Sequence, residues 1–173
     1  MMLSEELYPQ RVFYYFEQIA AIPHGSRNTK AISDYLVDFA KEHNLVWYQD
    51  ENNNVVIVKE ASAGYEAAEP IIIQGHMDMV CEKEKGVDID FEKDGLKLYI
   101  DGDFLKAEGT TLGGDDGIAV AYALALLDSQ EIAHPKLEVV ITVDEEIGML
   151  GADAIDLSML TGHTMLNIDS DVE

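Results

Sequence analysis

Basic residues are scarce in this 173-residue sequence: 11 lysines and arginines stand against 34 aspartates and glutamates, a formal charge of −23. A surface of that sign repels phosphate backbones, so no nucleic-acid partner is expected. Cysteine is nearly absent. Cys81 stands alone and can close no intrachain disulfide, which fits a reducing compartment. The first ten residues, MMLSEELYPQ, lack the basic start, apolar stretch and small-residue cleavage site of a secretory leader. The expected location is the cytoplasm. Long hydrophobic runs are missing as well: the longest, Gly117 to Leu127, falls short of the roughly 20 residues that cross a bilayer and is bracketed by Asp115, Asp116 and Asp128. No membrane partner is expected either.

What is present suffices for a core. Hydrophobic residues make up 47% of the chain and eight tyrosines add bulk, which argues against an acidic disordered tail and for one globular unit. The sequence stops directly behind an apolar run with no closing helix, the ending expected of a fold that continues further.

Apolar residues at Val12, Tyr15, Phe16 and Ile19 recur at helical spacing before Pro23, and Ile32, Leu36, Phe39 and Ala40 form a second stripe over about 28–42. Leu45–Tyr48 and Val55–Lys59 read as a strand pair around the polar turn 50–54, and Leu96–Ile100 with Phe104–Ala107 as a hairpin. Ile71–Gln74, Leu137–Val143 and Met165–Ile168 read as further strands, with a buried helix over 115–129 and a short one within 152–160. Alternation of this kind predicts an α/β fold, a mixed, mostly parallel central sheet flanked by helices.

Four acidic clusters punctuate these elements. Strand 71–74 runs into His76 and Asp78, which face the same way in extended chain. His76 could hold a metal with Asp78 orienting its ring, or the two could simply pair at a strand end. Gly113-Gly114-Asp115-Asp116-Gly117 opens the buried helix. One aspartate could cap that helix, but two adjacent acids among three glycines exceed capping needs. The lysine and Ser/Thr of a phosphate-binding loop are absent after Gly117. Asp144-Glu145-Glu146 follows strand 137–143. Like charges so clustered repel unless a cation shares them, and adjacent glutamates in extended chain point oppositely, so one would serve a metal and the other a water. The fourth cluster, Asn167-Ile168-Asp169-Ser170-Asp171, follows the last apolar run. Three clusters thus lie at strand carboxyl ends, where open α/β sheets gather ligands.

An EF-hand is excluded, because the best window from Asp88 carries Lys93 and Tyr99 where Gly and Glu are required. One histidine among carboxylates suits zinc or manganese hydrolysis better. Cys81 lacks a basic neighbour or helix start to activate it and reads as packing. His24, His43, His134 and His163 are scattered singletons, read as structural or solvated.

In this order the clusters resemble the di-zinc metallopeptidase superfamily of aminoacylases, carboxypeptidases and cytosolic dipeptidases. The phrases Ile22-Pro23-His24-Gly25-Ser26, Gln74 to Lys83, Asp90-Phe91-Glu92-Lys93-Asp94 and Gly109-Thr110-Thr111-Leu112-Gly113 resemble in particular the bacterial aminoacyl-histidine dipeptidases, which cleave Xaa-His dipeptides such as carnosine. The resemblance spans about residues 10–170.

That resemblance implies two Zn2+ per active site, with Mn2+ or Co2+ as substitutes. His76 and Asp169 would bind one, Glu146 the other, and Asp115 would bridge both. Glu145 would be the general base and Asp78 would orient His76. A cis peptide between Asp115 and Asp116 is implied too. Residues 1–173 would form the N-terminal portion of the catalytic domain, without the dimerisation and lid domain or the later catalytic segment that carries a last zinc-binding histidine. The whole protein would be a homodimer acting on small dipeptides, and this stretch alone would be inactive. A deacylase of N-acyl amino acids, another di- or tripeptidase of the superfamily and a non-catalytic acidic metal-binding domain remain as alternatives.

Overall fold

A computed structural model describes residues 5–169. Helix α1 (Gln10–Ala20) buries Val12, Tyr15, Phe16 and Ile19, and α2 (Lys30–Glu42) buries Ile32, Leu36, Phe39 and Ala40. Both are the stripes that the three-and-four spacing demands. Strands β1 (Val46–Gln49) and β2 (Val55–Lys59) pair antiparallel. The turn between them is closed by the Asp50 carboxylate, which accepts the backbone N–H groups of Asn52 and Asn54.

Then follow β3 (Ile71–His76), the separate hairpin β4 (Leu98–Asp101) and β5 (Phe104–Ala107), and α3 (Gly114–Asp128). After them come β6 (Leu137–Thr142), α4 (Leu150–Ala154) and β7 (Thr164–Asn167). The main sheet has the order β1-β2-β6-β3-β7. Strands β6, β3 and β7 run parallel to one another, β2 is antiparallel to β6, and β1 is antiparallel to β2. Four strands therefore share one direction and β2 alone is reversed.

Residues from α1, α2 and α3 pack with Val55, Ile57, Ile73, Val139 and Ile141 into the larger core on one face. The other face is covered more thinly, by Ile155, Met159 and Leu160 over Val56, Val58 and Val140. Here the expected helix within 152–160 is corrected: regular helix covers only Leu150–Ala154, Ile155 turns extended, and the segment beyond is irregular. The cause lies on β6. Glu138 is fully buried on that face, and its carboxylate accepts the N–H groups of Thr161 and Gly162 and the Thr161 hydroxyl, with the Lys136 ammonium beside it. The chain must leave helical geometry to present those groups. Among the described residues no helix is long and apolar enough to cross a membrane.

Candidate metal centre

In the parallel register His76 sits opposite Thr142, so β3 and β6 end together. The chain beyond β3 carries Asp78, the chain beyond β6 carries Asp144, Glu145 and Glu146, and the chain beyond β7 carries Asp169. The start of α3 approaches the same edge. Gly113 holds a left-handed φ of +68° there, and a Cβ on it would lie 2.8 Å from the Met79 sulfur. Asp115 and Asp116 both leave helical angles, the peptide bond between them is cis, and no side chain caps the helix start. Gly75 permits the approach from the strand side, since a Cβ at that position would fall 2.7 Å from Asp116 Oδ2.

His76 is the hub. Its Nε2 lies 3.1 Å from Asp115 Oδ1 and 3.8 Å from Glu145 Oε2. Its Nδ1 lies 2.9 Å from the Asp78 carbonyl oxygen and 3.5 Å from Asp78 Oδ1. Two sets of three side chains bring one donor atom each within 4.8 Å of one another: His76, Asp115 and Glu146, and His76, Glu145 and Asp169. All five residues thus meet at one edge. Their grouping differs from the one the resemblance implies, because Glu145 rather than Asp115 accompanies His76 and Asp169.

The second sphere is equally ordered. Asp78, with a fully buried side chain, accepts the Glu145 N–H through Oδ1 at 3.0 Å and the Ser26 hydroxyl through Oδ2 at 2.8 Å. Asp116 Oδ2 accepts the backbone N–H of His76 at 3.2 Å. The Asp144 carboxylate accepts the N–H of Arg27 at 2.6 Å, and Arg27 and Asp144 both hold positive φ.

Electrostatics follow from burial and crowding. Burial opposes charge on His76, but Asp78, Asp116 and Asp115 outweigh it and push its pKa up to about 9. Asp116 is raised to about 7, chiefly by burial and further by the charges of Asp169 and Asp115. Burial and neighbouring acids also raise Glu145 and Glu146. Asp78 goes the other way: burial would raise it, and the donors from His76, Glu145 and Ser26 hold it below the usual carboxylate range.

Ser170 and Asp171 of the fourth cluster lie outside the described residues, as do the first four of the opening ten. Cys81 is half-buried and its thiol is pushed up by burial, in keeping with packing. His24 is buried with Nδ1 against the Ile22 carbonyl, and His43 pairs with Asp128. Reading the sequence did not single out Arg27, and named Asp144 only as a member of the third cluster and Ser26 only as part of a phrase. Their placement depends on contacts 52 and 117 positions apart; the one local sign was the Gly25-Ser26-Arg27-Asn28 turn after Pro23.

Residues 72–170 match the family Peptidase family M20/M25/M40. The chain is 40% identical over 168 residues to the cytosol non-specific dipeptidase of Escherichia coli (strain K12), covering 97% of this chain and 35% of that protein. It is 36% identical over 108 residues to peptidase T of Caldanaerobacter subterraneus, covering 58% of this chain and 26% of that one. Among solved structures, the aminoacylhistidine dipeptidase of Vibrio alginolyticus superposes with a TM-score of 0.94 at 40% identity, over 98% of this chain and 35% of that chain. A tripeptidase of Staphylococcus aureus shares the fold, with a TM-score of 0.77 at 24% identity over 94% of this chain and 44% of that one. The matched stretches span between about a quarter and about a third of the length of these curated relatives.

Proposed function

Because the chain belongs to the peptidase family M20/M25/M40, we propose that the complete protein is a metal-dependent dipeptidase that hydrolyses Xaa-His dipeptides of the carnosine type. One observation carries the reading: two three-donor sets that share His76 meet at the carboxyl edge of the sheet, each within 4.8 Å. One imidazole among carboxylates is a donor set that fits zinc, with manganese or cobalt as substitutes. When bound, such ions lower the pKa of a water toward about 7 and polarise the peptide carbonyl.

The residues divide the remaining work. His76, Asp115, Glu146 and Asp169 would hold the metal, each with a donor atom at this edge. Glu145 takes the proton from the attacking water and returns it to the leaving amine, a task suited by a carboxyl raised above its ordinary range. Asp78 holds both the His76 ring, through the Nδ1 side, and the Glu145 backbone. Relatives about three times as long support the further reading that these residues are the N-terminal portion of a catalytic domain. A lid and dimerisation domain and a later catalytic segment would complete a cytoplasmic homodimer.

The experiment is a substrate panel on the complete protein: Xaa-His dipeptides, other dipeptides and N-acyl amino acids, with the metal removed and restored. Metal-dependent cleavage led by Xaa-His dipeptides is the expected result. Turnover confined to N-acyl amino acids would make the protein a deacylase, and none at all a non-catalytic binding domain.

A further inference from the structure

A cavity of about 490 Å³ opens beside the centre and shares Glu146 with it. Met79, Val80, Phe91 and Ile147 form its apolar walls, Glu92 and Glu146 are its acids, and Arg27 is the one cation that lines it. The cavity is held open by its own framework. Asn28 donates to the Glu92 carbonyl, Met79 N–H to the His24 carbonyl, Ser26 to Asp78, and the Arg27 N–H to Asp144. The 25–28 loop is therefore tied to the 91–92 segment, to the chain beyond β3 and to the loop after β6 that carries Glu146. Those ties hold Arg27 at a φ of +67°, a conformation uncommon outside glycine and concentrated at functional sites.

Charge makes the arginine unusual. The chain has 34 acids, and its other arginine, Arg11, pairs with Asp128. Among the described residues the Arg27 guanidinium has no carboxylate partner. Arg27 is exposed, and an unpaired planar fork of donors lining a partly apolar cavity is matched to a planar anion.

We propose that this cavity is a substrate subsite in which Arg27 binds a carboxylate of the peptide while the apolar walls take the adjoining side chain. The proposal rests on the dipeptidase reading. Glu146 belongs both to a donor set with His76 and to the cavity lining, so the cavity adjoins the place where a scissile carbonyl would sit, and the residue next to it would lie about 3.8 Å further along the chain. The carboxylate is either the terminal one or that of an acidic side chain.

Two substrate pairs separate the sources in the complete, metal-loaded protein. Alanyl-histidine against alanyl-histidinamide tests the terminal carboxylate, and alanyl-aspartamide against alanyl-asparaginamide tests the side chain. Arg27→Asn removes the charge with a residue that tolerates left-handed backbone, and Arg27→Lys keeps the charge without the fork. The wild type is expected to show a KM at least tenfold lower for the carboxylate member of one pair. Arg27→Asn should erase that preference by raising KM for the acid alone, and Arg27→Lys should keep part of it. A preference that survives in Arg27→Asn, or its absence from the wild type in both pairs, overturns the proposal. Calorimetric titration of histidine against histidinamide, and aspartamide against asparaginamide, reads the same preference without turnover. A protein inactive on all four peptides would end the dipeptidase reading while the titrations still decide the subsite.

Discussion

The Asp78 carboxylate accepts the backbone N–H of Glu145 at 3.0 Å, joining residues 67 positions apart. Its other oxygen takes the Ser26 hydroxyl, and its carbonyl faces His76 Nδ1. One buried aspartate thus fixes a ligand, the proposed base and the loop that carries Arg27. Asp78→Ala leaves two part-buried donors without their acceptor, with an expected loss of roughly 1–3 kcal/mol in denaturant unfolding. Asp78→Asn keeps two acceptor lone pairs and should cost less. In both variants activity should fall about 10–100-fold, the usual scale for a group that orients a ligand. Unchanged activity would detach Asp78 from the centre.

The two adjacent glutamates are predicted to separate cleanly. Glu145→Gln should lower turnover by about 10²–10⁴ while the protein keeps its metal, and Glu146→Ala should lose metal. Elemental analysis beside kinetics checks this. Metal lost from Glu145→Gln instead would assign Glu145 as the ligand that its place beside His76 and Asp169 allows.

Glu138 makes stability depend on pH. Burial alone would raise its carboxyl, but the Lys136 ammonium and the donors of Thr161 and Gly162 hold it down at about 2, against an ordinary 4.5. The unfolded chain therefore binds the proton more readily. Its stabilisation is present above about pH 4.5 and is lost as pH falls from there toward 2, on the order of 3 kcal/mol in all. Unfolding free energies measured between pH 7 and 2 should show this loss, and Glu138→Gln should be less stable at neutral pH with a flatter acid limb.

Gly75→Ala tests the packing that brings α3 to the strand. The added Cβ would meet Asp116 Oδ2 at 2.7 Å and the Ala119 Cβ at 2.9 Å. The helix start must retreat, at an expected cost of about 1–3 kcal/mol and with weakened metal binding, since Asp115 moves with it. Isothermal titration with zinc reads the second effect; unaltered affinity would mean that Asp115 is not held by this contact.

Much of the architecture was legible because local pattern and tertiary burial agree. The stripes of α1 and α2 follow the helical period, and the apolar runs before His76 and Asp144 became β3 and β6, whose common end gathers the acidic clusters. Convergence of those clusters followed from the strand-end rule. Contacts that depend on long loops were not legible. Glu138 lies inside an apolar run and needs Thr161 and Gly162, 23 and 24 positions on. The position of Arg27 likewise depends on Asp144, which no nearby residue announces.

Anomalous diffraction at the zinc edge, from crystals of the complete protein with zinc added, tests the central claim most directly. The account predicts two peaks per chain with Asp115 between them, one peak about 2.0–2.1 Å from His76 Nε2 and near Asp169, the other at Glu146. A single peak, or zinc bound away from His76 and Asp115, would contradict it.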